Sequence, residues 1–283
     1  MTEEKTINEL IEFGVINLDK PSGPTSFQTA ERVKRIFGLK KMGHFGTLDP
    51  KVTGVLPIAL NRACKIQNFF MRKDKTYVGV MRIHKNISKK LLQKEMDNFV
   101  GKIMQLPPLR SKVKREERER QVYYWNILEK NGKEILFETK VEAGTYIRKL
   151  IHDLGEKIGG GHMIELRRTQ AGIFDENDKN FINLYDLEKI KDNEEELRKI
   201  IISGEEAIKR IMKTIQVKES SIKQLLFGKP LFQEDLKERT KERLIEDFKD
   251  EERIAAFSGE KLIGVYKTAS EGEEIGKAEF VYN

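Results

Sequence analysis

The segment Gly43-His44-Phe45-Gly46-Thr47-Leu48-Asp49-Pro50 sets one carboxylate among small and turn-forming residues. Gly43 and Gly46 let a ligand approach the backbone closely. Pro50 removes a backbone donor and biases Asp49 away from helical geometry. A carboxylate displayed in this way can act as a nucleophile or a general base. An isolated Leu-Asp-Pro is an ordinary turn, so the reading depends on its surroundings. Other reactive groups are few: His44, His84, His152, His162 and the single cysteine, Cys64. One cysteine excludes an internal disulfide framework and any zinc site that needs two or more thiolates. Cys64 reads as a small buried apolar residue, and His84, His152 and His162 as structural.

The sequence contains no G-x-x-x-x-G-K-[ST], no H-E-x-x-H and no G-x-S-x-G, and Gly159-Gly160-Gly161 does not fit G-x-G-x-x-G. ATP-driven, NAD-dependent, zinc-protease and serine-hydrolase chemistries therefore start at a disadvantage. Net charge is +7, unevenly spread. Residues 1–210 hold 40 basic and 31 acidic side chains, residues 211–283 hold 13 and 15. A polyanion is expected to lie mainly across the larger part. The run Arg110 to Arg120, beside Pro107-Pro108, carries six basic and three acidic residues. By composition it is either a solvated face or a contact for a polyanion. The start, MTEEKTINEL, is acidic and polar, and no apolar run approaches the ~18 residues of a membrane span. The expected compartment is the cytoplasm, with no membrane contact.

The elements that must position Asp49 can be read from periodicity and punctuation. Residues 14–18 read as a strand, followed by the turn-rich Lys20-Pro21-Ser22-Gly23-Pro24. A helix starts at Thr25, with Gln28 completing a capping box, and ends at Gly38. Its expected apolar face is Phe27, Ala30, Val33 and Phe37. Strands are expected at 76–83, 122–129 and 134–142, the last two joined by a hairpin at Asn131-Gly132. A helix covers about 145–158, and residues 185–210 are helical and charge-rich. Residues 211–283 read as a separate module of short strands, with 253–257 and 261–266 joined at Ser258-Gly259. The expected division is 1–210 and 211–283, with residues 1–10 an extension that packs on the second module. Periodicity alone gives a mixed α/β fold.

Gly43 to Pro50, continued by Lys51-Val52-Thr53-Gly54-Val55-Leu56-Pro57, closely resembles the catalytic motif of the TruB/dyskerin family of pseudouridine synthases. Lys75-Thr76-Tyr77 resembles the family's second motif and Val141 to Arg148 its third. Glu165-Leu166-Arg167-Arg168-Thr169 is similar to a later segment, and Asn17-Leu18-Asp19-Lys20-Pro21 through Thr25-Ser26 to the family's opening. These segments keep the family's order over about residues 11–190. The Pro107 to Arg120 segment and the Glu-Ala-Gly-Thr-Tyr wording favour the archaeal and eukaryotic dyskerin branch. Val217 to Ser221, Gly228-Lys229-Pro230 and the strands around 253–265 resemble a PUA domain, less closely. Two departures stand out: Phe45, where the family has a small residue, and Ile151, where relatives often have Cys.

The resemblance implies an α+β pseudouridine synthase fold, a largely antiparallel sheet flanked by helices, plus a small β-barrel-like PUA domain. It implies cofactor-free isomerisation of uridine, with Asp49 essential as nucleophile or base, Arg148 paired to it, Tyr77 stacked on the flipped base and Tyr146 near the C5 proton. It implies that Leu166 closes the pocket and that Lys20, His44, Gly46 and Thr47 contact substrate. Lys112, Lys114 and Arg115 would contact RNA backbone, and Phe45 would affect the fit of flipped RNA. Implied partners are rRNA or tRNA substrate, an H/ACA guide RNA and the small proteins of that particle. A stand-alone tRNA TΨC-loop enzyme and a non-catalytic RNA-binding assembly factor are the alternatives.

Overall fold

The computed structural model describes every residue except 1–3, 108–113, 239, 241–251 and 272, with the side chains of 269–271 also outside the description. The chain divides into two units, Val15–Ile201 and Met1–Gly14 together with Ile202–Asn283.

The sequence opens with a short helix, α1 (Ile7–Glu12), capped by a reciprocal Thr6–Glu9 box. Strand β1 (Gly14–Lys20) then leads into α2 (Ser26–Phe37), whose Thr25–Gln28 capping box and left-handed Gly38 are those expected. Its buried face is Ser26, Thr29, Ala30 and Val33, while Phe27 is 61% exposed. The difference from the expected apolar face follows from Ser26, which turns inward to bond the next loop.

Strands β2 (Met42–His44), β3 (Thr53–Leu60) and β4 (Lys75–Ile83) follow, with α3 (Gln67–Met71) between the last two. After α4 (Lys89–Asp97) come β5 (Gly101–Gln105), β6 (Arg118–Asn131), β7 (Glu134–Val141), α5 (Ile147–Ile158) and β8 (Gly161–Ala171). The unit closes with β9 (Phe174–Asp175), β10 (Phe181–Asn183), α6 (Leu184–Ile190) and α7 (Glu194–Ile200). One sheet runs β10-β1-β3-β8-β4-β7-β6-β5, with β2 paired to β3 and β9 to β8. It is largely antiparallel; β1–β10 and β3–β8 are its parallel pairs along this path. Trp125 is fully buried and meets Phe99 and Phe137 edge-on, both at 6.0 Å.

The second unit holds α8 (Gly204–Lys209) and a five-stranded sheet. After the short β11 (Ile201–Ser203), its strands are β12 (Lys213–Gln216), β13 (Leu231–Phe232), β14 (Arg253–Ser258), β15 (Lys261–Glu271) and β16 (Glu274–Val281), in the order β12-β14-β15-β16-β13. Helix α9 (Ile222–Leu226) packs on its core of Ile215, Val217, Leu225, Leu231, Ile254 and Tyr266. The N-terminal segment joins this unit through Phe13, which is buried, stacks with Phe280 at 6.5 Å and meets Tyr282 at 4.7 Å. Gly204 donates its N–H to the Phe13 carbonyl, and a Cβ there would lie 2.3 Å from the Phe13 ring. The boundary at 201/202 falls ahead of the expected 210/211. Helix α8 continues the charged helical pattern of α6 and α7, so periodicity does not reveal that it packs on Phe13 instead.

Candidate active site

The loop carrying Asp49 is held from both sides by its own sequence neighbours in space. Phe45 donates its N–H to the Pro57 carbonyl of β3 at 3.0 Å. Ser26, the first residue of α2, accepts from the Leu48 N–H at 2.8 Å and donates to the Leu48 carbonyl at 3.0 Å. On the other side, the Pro50 carbonyl accepts from the Gly23 N–H and from Lys20 Nζ, both at 2.9 Å. The Val52 N–H closes a turn on the Asp49 carbonyl at 3.0 Å. Both peptide neighbours of Asp49 are thus fixed, while its carboxylate is about half exposed. A reacting group held this way loses little entropy when substrate arrives.

Lys20 corrects the reading of it as a substrate contact. It is fully buried, and Nζ donates to the carbonyls of Pro21, Pro50 and Val52, each at 2.9 Å. All three donors are spent on the loop, so Lys20 holds it and does not reach a ligand. Phe45 is a second correction. Its ring is buried, stacks on Phe70 at 4.8 Å and meets Phe174 at 5.7 Å. It anchors the loop into the core and presents no bulk to a flipped base.

Strands β4 and β8 build the wall. Tyr77 lies opposite Arg168 and Gly79 opposite Leu166, so strand alternation puts Tyr77, Leu166 and Arg168 on one face. Gly79 makes the room: a Cβ there would sit 2.9 Å from Leu166 Cδ1 and 2.7 Å from the Phe137 ring. Arg168 is 1% exposed. Its Nε donates to the Val55 carbonyl at 2.7 Å and its Nη2 to the Gly46 carbonyl at 3.0 Å. Burial pulls its pKa below the ordinary value, with the Tyr77 hydroxyl opposing more weakly. Arg168 therefore ties β3, the Asp49 loop and Tyr77 together. Gly46 (φ +117°) is in the left-handed region that a side chain resists.

Two neighbours sense this buried cation. Lys75 Nζ donates to the Met71 carbonyl at 2.7 Å and to that of Lys73. Burial, then Arg168, pull its pKa down to about 8, with Asp74 opposing. His44 is likewise pulled below its ordinary value, by burial first and Arg168 second. Its Nδ1 is buried without a hydrogen-bond partner among the described residues.

The third piece is the turn into α5. The Thr145 N–H and hydroxyl both donate to the Glu142 carbonyl, at 3.2 and 2.8 Å, and Gly144 takes φ +86°. Buried Gln105 accepts from the Tyr146 N–H at 2.9 Å and donates to its carbonyl at 3.3 Å. That fixes Tyr146 as the N-cap of α5 and puts Arg148 in its first turn. Arg148 Nη2 makes an ion pair with Asp49 Oδ2, joining residues 99 apart in sequence. The pair leaves one carboxylate, oriented by a cation, on a loop that Arg168 ties to the strands carrying Tyr77 and Leu166.

Of the expected site residues, Asp49 and Arg148 touch, Tyr146 is set two residues from that pair, and Tyr77 and Leu166 share a wall. Gly46 joins the wall through Arg168, and Thr47 is exposed. Lys114 and Arg115 are exposed, Lys114 pairing with Glu116, and Lys112 lies outside the described residues. Sequence reasoning did not assign roles to Ser26, Lys75 and Arg168. The signal for Arg168 is a charged residue two places after Leu166 on the inward register of a strand.

Comparisons with known proteins cover most of the chain. The TruB family pseudouridylate synthase N terminal domain matches residues 34–147, the tRNA pseudouridylate synthase B C-terminal domain residues 148–209, and the DKCLD (NUC011) domain residues 2–29. A probable tRNA pseudouridine synthase B of Methanopyrus kandleri is 46% identical over 233 residues, 80% of this chain and 68% of that protein. The corresponding protein of Pyrococcus furiosus is 45% identical over 236 residues, 81% and 69% of the two chains. Among solved structures, a Cbf5-Nop10-Gar1 complex aligns with TM-score 0.85 at 36% identity, covering 98% of this chain and 87% of that one. An H/ACA RNP bound to a substrate RNA containing 2′-deoxyuridine aligns with TM-score 0.85 at 34% identity, covering 99% and 88%. With identity near one half across more than two thirds of such a relative, the chain belongs to the TruB family of pseudouridylate synthases, which are isomerases.

Proposed function

We propose that the chain converts uridine to pseudouridine in rRNA or tRNA as the catalytic subunit of an archaeal-type, guide-directed H/ACA particle. The observation that carries the catalytic part is the Asp49–Arg148 ion pair on a loop whose flanking peptides are pinned by Ser26, Gly23 and Lys20. In the reaction the N1–C1′ bond breaks, the uracil turns and C5 joins C1′. C5 gives up a proton and N1 gains one, so no oxidant, reductant or cofactor is consumed. Asp49 either adds to C1′ as the base leaves or removes a sugar proton; either role needs the fixed, oriented carboxylate. Tyr77 and Leu166 receive the flipped base, which aromatic and apolar side chains hold by stacking. Tyr146, set by Gln105, serves the proton exchange at C5. His44, Gly46 and Thr47 face the flipped nucleotide, and Lys114 and Arg115, with Lys112, contact the RNA backbone.

The guide-directed part rests on the neighbouring structures, which are complexes with Nop10, Gar1 and substrate RNA. Small proteins of that kind and a guide RNA are the partners of this reading, residues 211–283 its PUA module, residues 1–10 an extension packed on that module, and the cytoplasm its compartment. Among the described residues, no helix is long and apolar enough to cross a membrane. The relatives named as tRNA pseudouridine synthases favour a second reading, direct action on tRNA. One experiment separates them: pseudouridine is measured on tRNA and rRNA fragments with and without guide RNA and the small proteins. Guide-dependent product supports the first reading; equal rates without guide replace it by the second. Asp49→Asn is expected to lower product formation by at least about 10³-fold while RNA affinity stays within about twofold. Normal turnover by that variant sinks the catalytic assignment.

A further inference from the structure

On the face of the catalytic unit where α2 meets α6, two helices each present a pair of charged residues at i, i+3 spacing, which places both members on one side. Arg32 and Arg35 come from α2, and Glu188 from α6 with Lys191 just beyond it; together with Ile36 they line an open groove of about 260 Å³. Arg32 is neutralised by Glu188 at 2.7 Å. Arg35 and Lys191 are exposed, and neither has an ion-pair partner among the described residues. Of the charges lining the groove, three are cations and one, Glu188, is an anion already paired with Arg32, so Arg35 and Lys191 leave it with an excess of two positive charges. That arrangement is repulsive until an anion enters, and a guanidinium fork beside an ammonium suits a phosphate oxygen pair.

We propose that this groove seats a phosphodiester of the RNA substrate outside the catalytic pocket, as a second grip on the strand that carries the target uridine. The proposal rests on the reading of the protein as an RNA pseudouridine synthase. Two observations choose RNA over an acidic protein segment. The unit Val15–Ile201 carries 37 Lys and Arg against 25 Asp and Glu, so its field favours a polyanion. The groove also shares α2 with the loop it must serve. Ser26, at the start of α2, holds Leu48 next to Asp49. Arg35 is nine residues on, about 13 Å along the helix axis. The groove therefore lies beyond the loop that carries Asp49, on the same helix that braces it.

The test measures binding of a labelled oligouridylate of about a dozen nucleotides, across salt concentrations, by wild type and an Arg35→Ala/Lys191→Ala double variant. Thermal melting checks that the variant is folded, as two exposed side chains lead one to expect. The expected result is about a five- to tenfold loss of affinity at low salt and a salt slope smaller by about 0.7 to 1.4, one or two phosphates on a single strand. Unchanged affinity and slope overturn the proposal. So does loss of association with a partner protein while RNA binding stays at the wild-type level. Wild type and Asp49→Asn are assayed for pseudouridine in parallel. If wild type forms product and the groove variant binds as wild type does, the groove fails and the catalytic reading stands. If wild type forms none on any RNA, the catalytic reading fails, while the salt slope still judges the groove.

Discussion

Lys20, Lys75 and Arg168 are buried cations whose donors go to backbone carbonyls, so around Asp49 they act as braces. The sequence shows that these residues belong to the motifs, but a cation in an RNA enzyme reads first as a phosphate contact. Only burial reveals the other use. The consequences for titration have a definite sign. Burial and Arg168 lower the His44 pKa, so the unfolded chain binds more protons than the folded one just below pH 6.5. Stability then falls as pH drops through that window. A proton NMR titration is expected to place the His44 midpoint below 6.5; a midpoint at or above 6.5 contradicts the environment described. Lys75 titrates at about 8 when folded and near 10.5 when unfolded. Between those values the unfolded chain again holds the extra proton, so stability rises with pH. Denaturant melts at pH 7 and pH 10 are expected to show wild type gaining on Lys75→Met at the higher pH. An equal difference at both values shows that Lys75 is not desolvated.

At the scale of elements, the site depends on how closely β3 and β8 approach. Their parallel pairing brings Gly54 beside Arg168. Gly54 has φ +97°, and a Cβ there would lie 2.2 Å from the Arg168 carbonyl oxygen. Gly54→Ala is expected to cost about 3 kcal/mol or more, since the substitution is strained in its own backbone and collides with a strand. A melt shows this directly, and a loss under about 1 kcal/mol means the strands can part without harm. The elements themselves were largely legible. The Thr25–Gln28 box, Gly38, the Asn131-Gly132 hairpin and the α5 stripe of Ile147, Leu150, Ile151 and Leu154 all carry local signals. The inward turn of Ser26, the core position of Phe45 and the order of strands were not, because each depends on partners far away in sequence. The same holds for the Asp49–Arg148 pair: the resemblance named its members, and their meeting requires the β7–α5 turn to face the loop before β3.

At the scale of the whole molecule, the division at Ile201/Ile202 makes Phe13 part of the second unit. Phe13→Ala is expected to destabilise that unit by about 3–5 kcal/mol, the usual cost of removing a buried phenyl ring. Melting followed by hydrogen exchange resolves the units. Protection lost evenly in both, or in Val15–Ile201 alone, contradicts this grouping. The arrangement also sets an order of events on the ribosome. Residues 15–201 are continuous in sequence, so that unit can fold as soon as it emerges. Phe13 is made before all of it, yet its ring partners are Phe280 and Tyr282. At about 5–20 residues per second, the nascent Phe13 waits roughly 13 to 55 seconds before its partners exist. Once Ile201 has been made, Tyr282 is still 81 residues away, so for roughly 4 to 16 seconds a large apolar side chain next to a finished domain lacks its ring partners, which makes the N-terminal segment a place for chaperones to hold the growing chain.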